Sequence, residues 1–141
     1  MSYIVKNVRD FNPDHIFDCG QCFRWERQED GSYTGTAMGK IARVSFDGGT
    51  LAIDNCDSGD YEATWRNYLD MDTDYGMIKD FLAKSDPTIR AACEYGGGIR
   101  ILRQDFWEAT VSFIISQNNN IPRIKGCIEA LCAAFGEKIC E

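Results

Sequence analysis

Ser112-Phe113-Ile114-Ile115-Ser116-Gln117-Asn118-Asn119-Asn120-Ile121-Pro122-Arg123-Ile124 joins two apolar segments through a run of amides, and its reading decides how the second part of the chain folds. On its N-terminal side Asp105-Phe106-Trp107-Glu108 has the form of a capping box. Phe106, Trp107, Ala109, Val111, Phe113, Ile114 and Ile115 leave few positions for water, so this helix is expected to be buried almost all round. On the other side Ile121, Ile124, Ile128, Leu131 and Phe135 recur at spacings of three and four, which places them on one helix face, and Gly136 reads as the stop. Asn caps helices well, and Pro122 fits a first turn, where its missing N–H costs nothing. Two readings of the amides stay open. One is a well-capped helix–helix corner. The other is recognition, since adjacent amides offer donors and acceptors to base edges or phosphates, and Arg123 projects from the first turn of the second helix.

Upstream the grammar changes twice. Residues 1–19 begin with a short apolar alternation, read as an edge strand, and Asn12-Pro13-Asp14 marks a turn and approach loop before His15-Ile16-Phe17. From Gly20 the period is two, with Phe23 and Trp25 on one face of a half-buried strand. Asp30-Gly31, Gly39-Lys40 and Asp47-Gly48-Gly49 then separate short alternating runs, so strands over residues 20–53 form an antiparallel meander. After Asp57 helical signals take over: Ser58, then Asp72 or Thr73, then Asp86-Pro87 are candidate helix starts, and Gly96-Gly97-Gly98 reads as a flexible link. Strands first and helices after give an α+β fold, a small antiparallel sheet with helices, followed by a helical domain. The boundary falls between 1–98 and 99–141.

Composition narrows the function classes. In 141 residues 44% are hydrophobic, enough for a real core, and no apolar run approaches the length of a membrane span. The N-terminus lacks the features of a secretory leader, which points to an intracellular protein, cytoplasmic (nucleoid) if prokaryotic. A formal net charge of −7 argues against holding DNA by general electrostatics, so any nucleic-acid role rests on a local surface. Seven cysteines, odd in number and scattered through apolar segments, suit reduced and mostly buried thiols.

Cys19-Gly20-Gln21-Cys22 is the local motif that invites redox or metal chemistry. A redox pair of this spacing needs a helix N-terminus after it to lower a thiol pKa, and here a strand pattern follows. Zinc needs two further ligands, and the lone His15 with dispersed cysteines supplies no second pair, so no metal or cofactor site is expected. Gly20 lets backbone approach a ligand closely or serves only a turn. The acidic groups, Asp70 among them, fall in caps and turns and read as solvated. No lysine shows the apolar surroundings of a nucleophilic amine.

Three segments in order, Cys19-Gly20-Gln21-Cys22-Phe23-Arg24-Trp25, Arg100-Ile101-Leu102-Arg103-Gln104-Asp105 and the stretch from Ser112 to Ile124, make the chain resemble the N-terminal part of an 8-oxoguanine DNA glycosylase of the helix-hairpin-helix superfamily. The resemblance implies a sheet domain of TATA-binding-protein-like form and the first helices of an all-helical glycosylase domain. It implies a partner, double-stranded DNA containing 8-oxoguanine opposite cytosine, and a base-excision repair activity. In that activity the damaged base is flipped out, and a lysine attacks the sugar C1′ with help from an aspartate, as a glycosylase and then as an AP lyase. Gly20 matches the glycine whose carbonyl accepts a hydrogen bond from the N7–H that the oxidised base has and guanine lacks. Asn118 matches the asparagine that enters the space left by the flipped base, and Arg123 the arginine at the widowed cytosine, with Asn119 and Asn120 in the same DNA-binding loop.

The family's helix-hairpin-helix motif, nucleophilic lysine, catalytic aspartate and lesion-stacking aromatic have no counterpart among these residues. A last helix with an apolar face and five residues after it fits an incomplete helical domain, or one covered by a partner subunit. The expectation is a fragment that is inactive alone. Two other classes stand beside it: a stand-alone DNA- or protein-binding module without catalysis, and a thiol oxidoreductase through Cys19 and Cys22.

Overall fold

Alternation at Tyr33–Ala37 and Thr50–Asp54 buries every second side chain on one face, and these runs pair into a five-stranded sheet. The computed structural model describes residues 1–139. Its strands are β1 (Ser2–Val5), β2 (Trp25–Arg27), β3 (Tyr33–Ala37), β4 (Lys40–Asp47) and β5 (Thr50–Asp54), all antiparallel in the order β1-β5-β4-β3-β2. The meander from β2 to β5 is as expected, and β1 is indeed an edge strand. Two of its hairpins turn on consecutive residues with positive φ, Met38 and Gly39 (52° and 74°) and Gly48 and Gly49 (52° and 82°), the twist that suits a two-residue loop.

Between β1 and β2 the expected approach loop is a short helix, α1 (Pro13–Phe17). Asn12 caps it by accepting from Asp14 N–H at 2.9 Å, and Pro13 occupies its first turn. Helicity was hidden because only five residues take part. The strand expected from Gly20 starts later, at Trp25, since Gln21 is bonded to Ile16 and to the segment at Arg100–Leu102 and only the Arg24 carbonyl, accepting from Thr36 N–H at 3.2 Å, reaches the sheet before it.

After β5, α2 (Ser58–Asp60), a π-helical segment (Tyr61–Trp65) and α3 (Arg66–Tyr68) follow one another without a gap. Asp57, rather than Ser58, is the cap, accepting from Asp60 N–H. Likewise Asp74, rather than Asp72 or Thr73, caps α4 (Tyr75–Ala83), while Asp86 caps α5 (Pro87–Tyr95) as expected. An Asp one or two places away offers the same oxygen, so propensity alone does not choose among them.

One core lies between the helical side and the sheet. Ile16, Phe17, Trp25, Leu51, Ile53, Trp65 and Leu69 are fully buried. Trp25 is its hub, stacked on Phe17 at 4.3 Å between ring centroids and donating its indole N–H to the Tyr68 hydroxyl at 2.9 Å. The chain returns to this body through Gly98, and the expected flexible link is pinned there. Gly98 accepts from Asn12 N–H at 3.0 Å and donates to His15 Nδ1 at 3.2 Å, and a Cβ on it would fall 2.5 Å from the Asn12 nitrogen. The glycine is needed for close approach, not for mobility.

Then come α6 (Phe106–Ser116) and α7 (Ile121–Phe135), which pack on each other. Asp105 caps α6 and Asn120 caps α7, and Gly136 ends it. The expectation of a helix buried almost all round is corrected: Phe106, Trp107, Phe113 and Ile114 are each at least 64% exposed. On α7 Ile124 and Ile128 are buried, whereas Leu131 and Phe135, on the same face, are exposed. Apolar content records what a helix can bury, not what covers it. Among the described residues no helix is long and apolar enough to cross a membrane.

Candidate functional site

α1 ends at Phe17 with Asp18 as its C-cap, and Ile16 and Phe17 are buried, so the loop that follows is thrown to the surface from a fixed point. Gly20 sits there, exposed, at φ +84°, and a Cβ built on it meets nothing within 4 Å. The conformation demands glycine, and the side that a side chain would fill is open to a ligand. Its neighbours are held. Gln21 donates from Nε2 to the carbonyls of Ile16 and Arg100, both at 2.9 Å, accepts at Oε1 from Leu102 N–H at 3.0 Å, and its own main-chain carbonyl accepts from Gln104 Nε2.

Cys22 is buried, and that burial pushes its thiol up to about 12, so it is protonated at neutral pH. A thiol in that state is a poor nucleophile, and the pair is followed by β2 rather than by the helix N-terminus that a redox pair of this spacing needs, which counts against the oxidoreductase reading of Cys19 and Cys22. The wider expectation of mostly buried thiols is also corrected. Cys22 and Cys56 are buried, Cys93 is intermediate, and Cys19, Cys127 and Cys132 are exposed; all six are free, and Cys140 lies outside the described residues. No cluster of three metal-ligating side chains occurs among the described residues.

The second element is the corner between α6 and α7. Gln117 leaves the helix in an extended conformation and Asn118 takes φ +50°, a left-handed value that Asn tolerates better than most residues. Asn119 closes the corner, donating from Nδ2 to the Ile115 carbonyl at 3.0 Å and accepting at Oδ1 from Asn120 N–H at 2.9 Å. Asn120 Oδ1 accepts from Arg123 N–H at 3.1 Å as the cap. Asn118 and Arg123 are exposed, and among the described residues neither side chain has a hydrogen-bond partner within the chain. Both open readings of the amide run therefore have residues behind them. Asn119 and Asn120 build the corner, and Asn118 and Arg123 present free polar groups from it.

The two elements are joined through residues to which the sequence assigned no part in the site. Arg24 reaches from the Gly20 side to Glu108 in the first turn of α6, Nη1 to Oε2 at 3.3 Å. Burial raises the Glu108 carboxyl, and the Arg24 charge opposes that. Lys125 of α7 donates to the Trp25 carbonyl at 3.3 Å. Between the β3–β4 hairpin and the faces of α6 and α7 a cleft of about 690 Å³ opens, walled by Met38, Trp107, Ile128, Leu131 and Phe135 with Arg24 and Glu108 at its side. Pairs such as Arg24 and Glu108 are 84 positions apart, and no local pattern couples them.

Comparison with known proteins gives one consistent answer. The family described as "8-oxoguanine DNA glycosylase, N-terminal domain" matches residues 3–110. The N-glycosylase/DNA lyase OGG1 of Arabidopsis thaliana is 27% identical over 118 residues, 80% of this chain and 32% of the relative. The N-glycosylase/DNA lyase of Saccharomyces cerevisiae is 55% identical over 42 residues, 30% of this chain and 11% of the relative. Among solved structures, MBOgg1 in complex with a low-affinity DNA ligand superposes with a TM-score of 0.96 at 50% identity, covering 99% of this chain and 48% of that one. The Clostridium acetobutylicum 8-oxoguanine glycosylase/lyase in complex with duplex DNA containing cytosine opposite 8-oxoguanine gives 0.96 at 46% identity, with the same coverage. The chain thus spans about half the length of the solved glycosylases and a third or less of the curated relatives. By a match that takes in most of its length, the chain belongs to the 8-oxoguanine DNA glycosylase N-terminal domain family.

Proposed function

We propose that this chain is the recognition portion of a DNA repair glycosylase/AP lyase that excises 8-oxoguanine from duplex DNA by base flipping, with residues 1–98 as its α+β domain and 99–141 as the first helices of the glycosylase domain. The observation that carries the reading is Gly20: an exposed backbone with a positive φ and empty space on the side of the missing Cβ. A base extruded from the stack can lie against that backbone. Its N7–H, present in 8-oxoguanine and absent in guanine, then meets the Gly20 carbonyl as a donor, where guanine presents a lone pair. Asn118 and Arg123, exposed and unengaged, contact the gap and the opposite cytosine, while Asn119 and Asn120 lie in the same DNA-binding loop and hold its shape. The solved relative with an 8-oxoguanine–cytosine duplex supports this choice of partner.

The chemistry needs an amine of lowered pKa, and the lysines here are unsuited. Lys40 pairs with Asp60, which raises its pKa, Lys79 pairs with Asp10, Lys125 donates to a carbonyl, and Lys6, Lys84 and Lys138 are exposed. The chain alone is therefore inactive in this reading. Borohydride trapping on a duplex with 8-oxoguanine opposite cytosine tests it, using this chain and a chimaera in which it replaces the matching half of the Clostridium acetobutylicum relative. A covalent adduct with the chimaera only, and not on an undamaged duplex, is the expected result. An adduct with the 141-residue chain, or equal trapping by the chimaera on damaged and undamaged DNA, overturns it.

A further inference from the structure

The Gly20 carbonyl belongs to the peptide plane that ends at the Cα of Gln21. A glycine at one end of that plane leaves it free to swing, so whatever fixes the carbonyl must act from the Gln21 end. Gln21 is unusually well fixed. Its side-chain amide spends both N–H donors, on the Ile16 and Arg100 carbonyls, and its Oε1 accepts from Leu102 N–H. Arg100 O and Leu102 N flank Ile101 in the segment that leads into α6, so the one glutamine amide holds two main-chain groups of that segment at once. The Gln104 side chain closes a fourth bond on the Gln21 carbonyl.

That segment is itself rigid. Arg100 is buried and donates to the carbonyls of Arg9, Asp10 and Asp70, and three residues beyond Leu102 the cap of α6 begins. The loop carrying Gly20 is thus tied to the root of the helix that ends at the Asn118 corner.

We propose that Gln21 is a specificity-determining positioning residue, which fixes the Gly20 peptide plane so that its carbonyl cannot turn away from an approaching base. The inference rests on the reading of Gly20 given above. A carbonyl that can swing accommodates the guanine lone pair by moving, and selectivity falls. A carbonyl held in place keeps the attraction for the N7–H donor and the repulsion for the lone pair.

The test measures binding by the chimaera to three duplexes, with 8-oxoguanine, guanine or an 8-oxoguanine analogue bearing carbon in place of N7 opposite cytosine. Gln21→Leu removes the side-chain tether, Gln104→Met removes the fourth bond without touching the loop, and Gly20→Ala controls for the underlying reading. Gln21→Leu is expected to lower the preference for 8-oxoguanine over guanine roughly tenfold, the effect of about one lost hydrogen bond. Gln104→Met is expected to lower it less. Affinity for the carbon analogue, which has no N7–H, is expected to stay within about twofold, which a merely structural defect would not allow. If Gly20→Ala reduces the preference and both glutamine variants leave it unchanged, the inference fails alone. If Gly20→Ala leaves it unchanged, or the unsubstituted chimaera binds lesion and analogue equally, the reading of Gly20 fails and takes the inference with it. Should Gln21→Leu not fold, the preference of Gln104→Met decides.

Discussion

The guanidinium of Arg100 lies over the ring of Tyr75, 4.8 Å from its centroid, while its three nitrogens donate to the main-chain carbonyls of Asp10, Asp70 and Arg9 at 2.7 to 3.0 Å. Burial lowers the Arg100 pKa, yet so strong a base keeps its charge at any ordinary pH. The fork therefore ties the chain after β1 and the turn after α3 to the segment leading into α6. A lysine supplies the charge but neither the planar fork nor the stacking. Arg100→Lys is expected to lose about 2 kcal/mol and Arg100→Met about 3 kcal/mol of stability. The urea midpoint of the chain measures both, and equal stability of the three proteins would refute the role.

The carboxylate of Asp70 is buried, against the expectation of a solvated turn residue, and accepts from Tyr75 Oη at 2.7 Å, Arg103 Nε at 2.9 Å and Thr73 Oγ1 at 3.0 Å. Burial raises its pKa, but those donors outweigh burial and the net shift is downward. A carboxyl with a depressed folded pKa adds stability above its unfolded pKa, and that stability is lost as pH falls through the folded value. The difference in unfolding free energy between the parent and Asp70→Asn is thus expected to be constant above about pH 5 and to close below about pH 4. Asn keeps the left-handed φ of +50°, so backbone strain does not enter the comparison. A difference that grew on acidification would reverse the sign of the argument.

Local chemistry was legible in the sequence where one residue decides it. Asp86-Pro87, Asn120 with Pro122, the Asp30-Gly31 hairpin and the alternation of β3 to β5 are each fixed by a side chain or a period, and the structure has them. What the sequence hid depends on partners far along the chain. Gly98 reads as a hinge until Asn12 is seen against it, and Gln21 looks like a spacer between two cysteines until Leu102, 81 positions away, donates to it. Phe106 and Phe113 look buried for the same reason in reverse, because periodicity carries no record of what covers a helix face.

Gly35 illustrates how a neighbour can decide a sign. A glycine inside a strand is ordinarily a weakness, and alanine there is worth about 0.5–1 kcal/mol. In β3, however, Gly35 lies opposite Trp25, and a Cβ would fall 2.6 Å from the Arg24 carbonyl oxygen and 2.7 Å from Cε3 of the indole. That indole is 1% exposed and held by Phe17 and the Tyr68 hydroxyl, so it has nowhere to go. Gly35→Ala is expected to destabilise by about 2–3 kcal/mol. Thermal unfolding of the variant checks it, and a melting temperature at or above the parent's would mean that the sheet relaxes around the methyl group.

The amide run can be dissected, because its members differ in what they already do. Asn120 Oδ1 is committed to the cap of α7, so Asn120→Ala is expected to cost about 1 kcal/mol of stability and to weaken the chimaera's duplex affinity less than Asn118→Gly does. Asn118 makes no such contact and sits at φ +50°, where glycine is at ease, so Asn118→Gly removes the side chain with little change in stability. In the proposed reading it weakens binding to the lesion duplex and leaves the fold intact. Arg123→Ala is expected to weaken binding too; if the guanidinium meets a phosphate, the salt dependence of log K falls by about one unit, and if it meets the cytosine edge the slope is nearly unchanged. Anisotropy titrations at several salt concentrations separate these outcomes. Full affinity in Asn118→Gly together with loss of affinity in a folded Asn120→Ala would exchange the roles of the two asparagines.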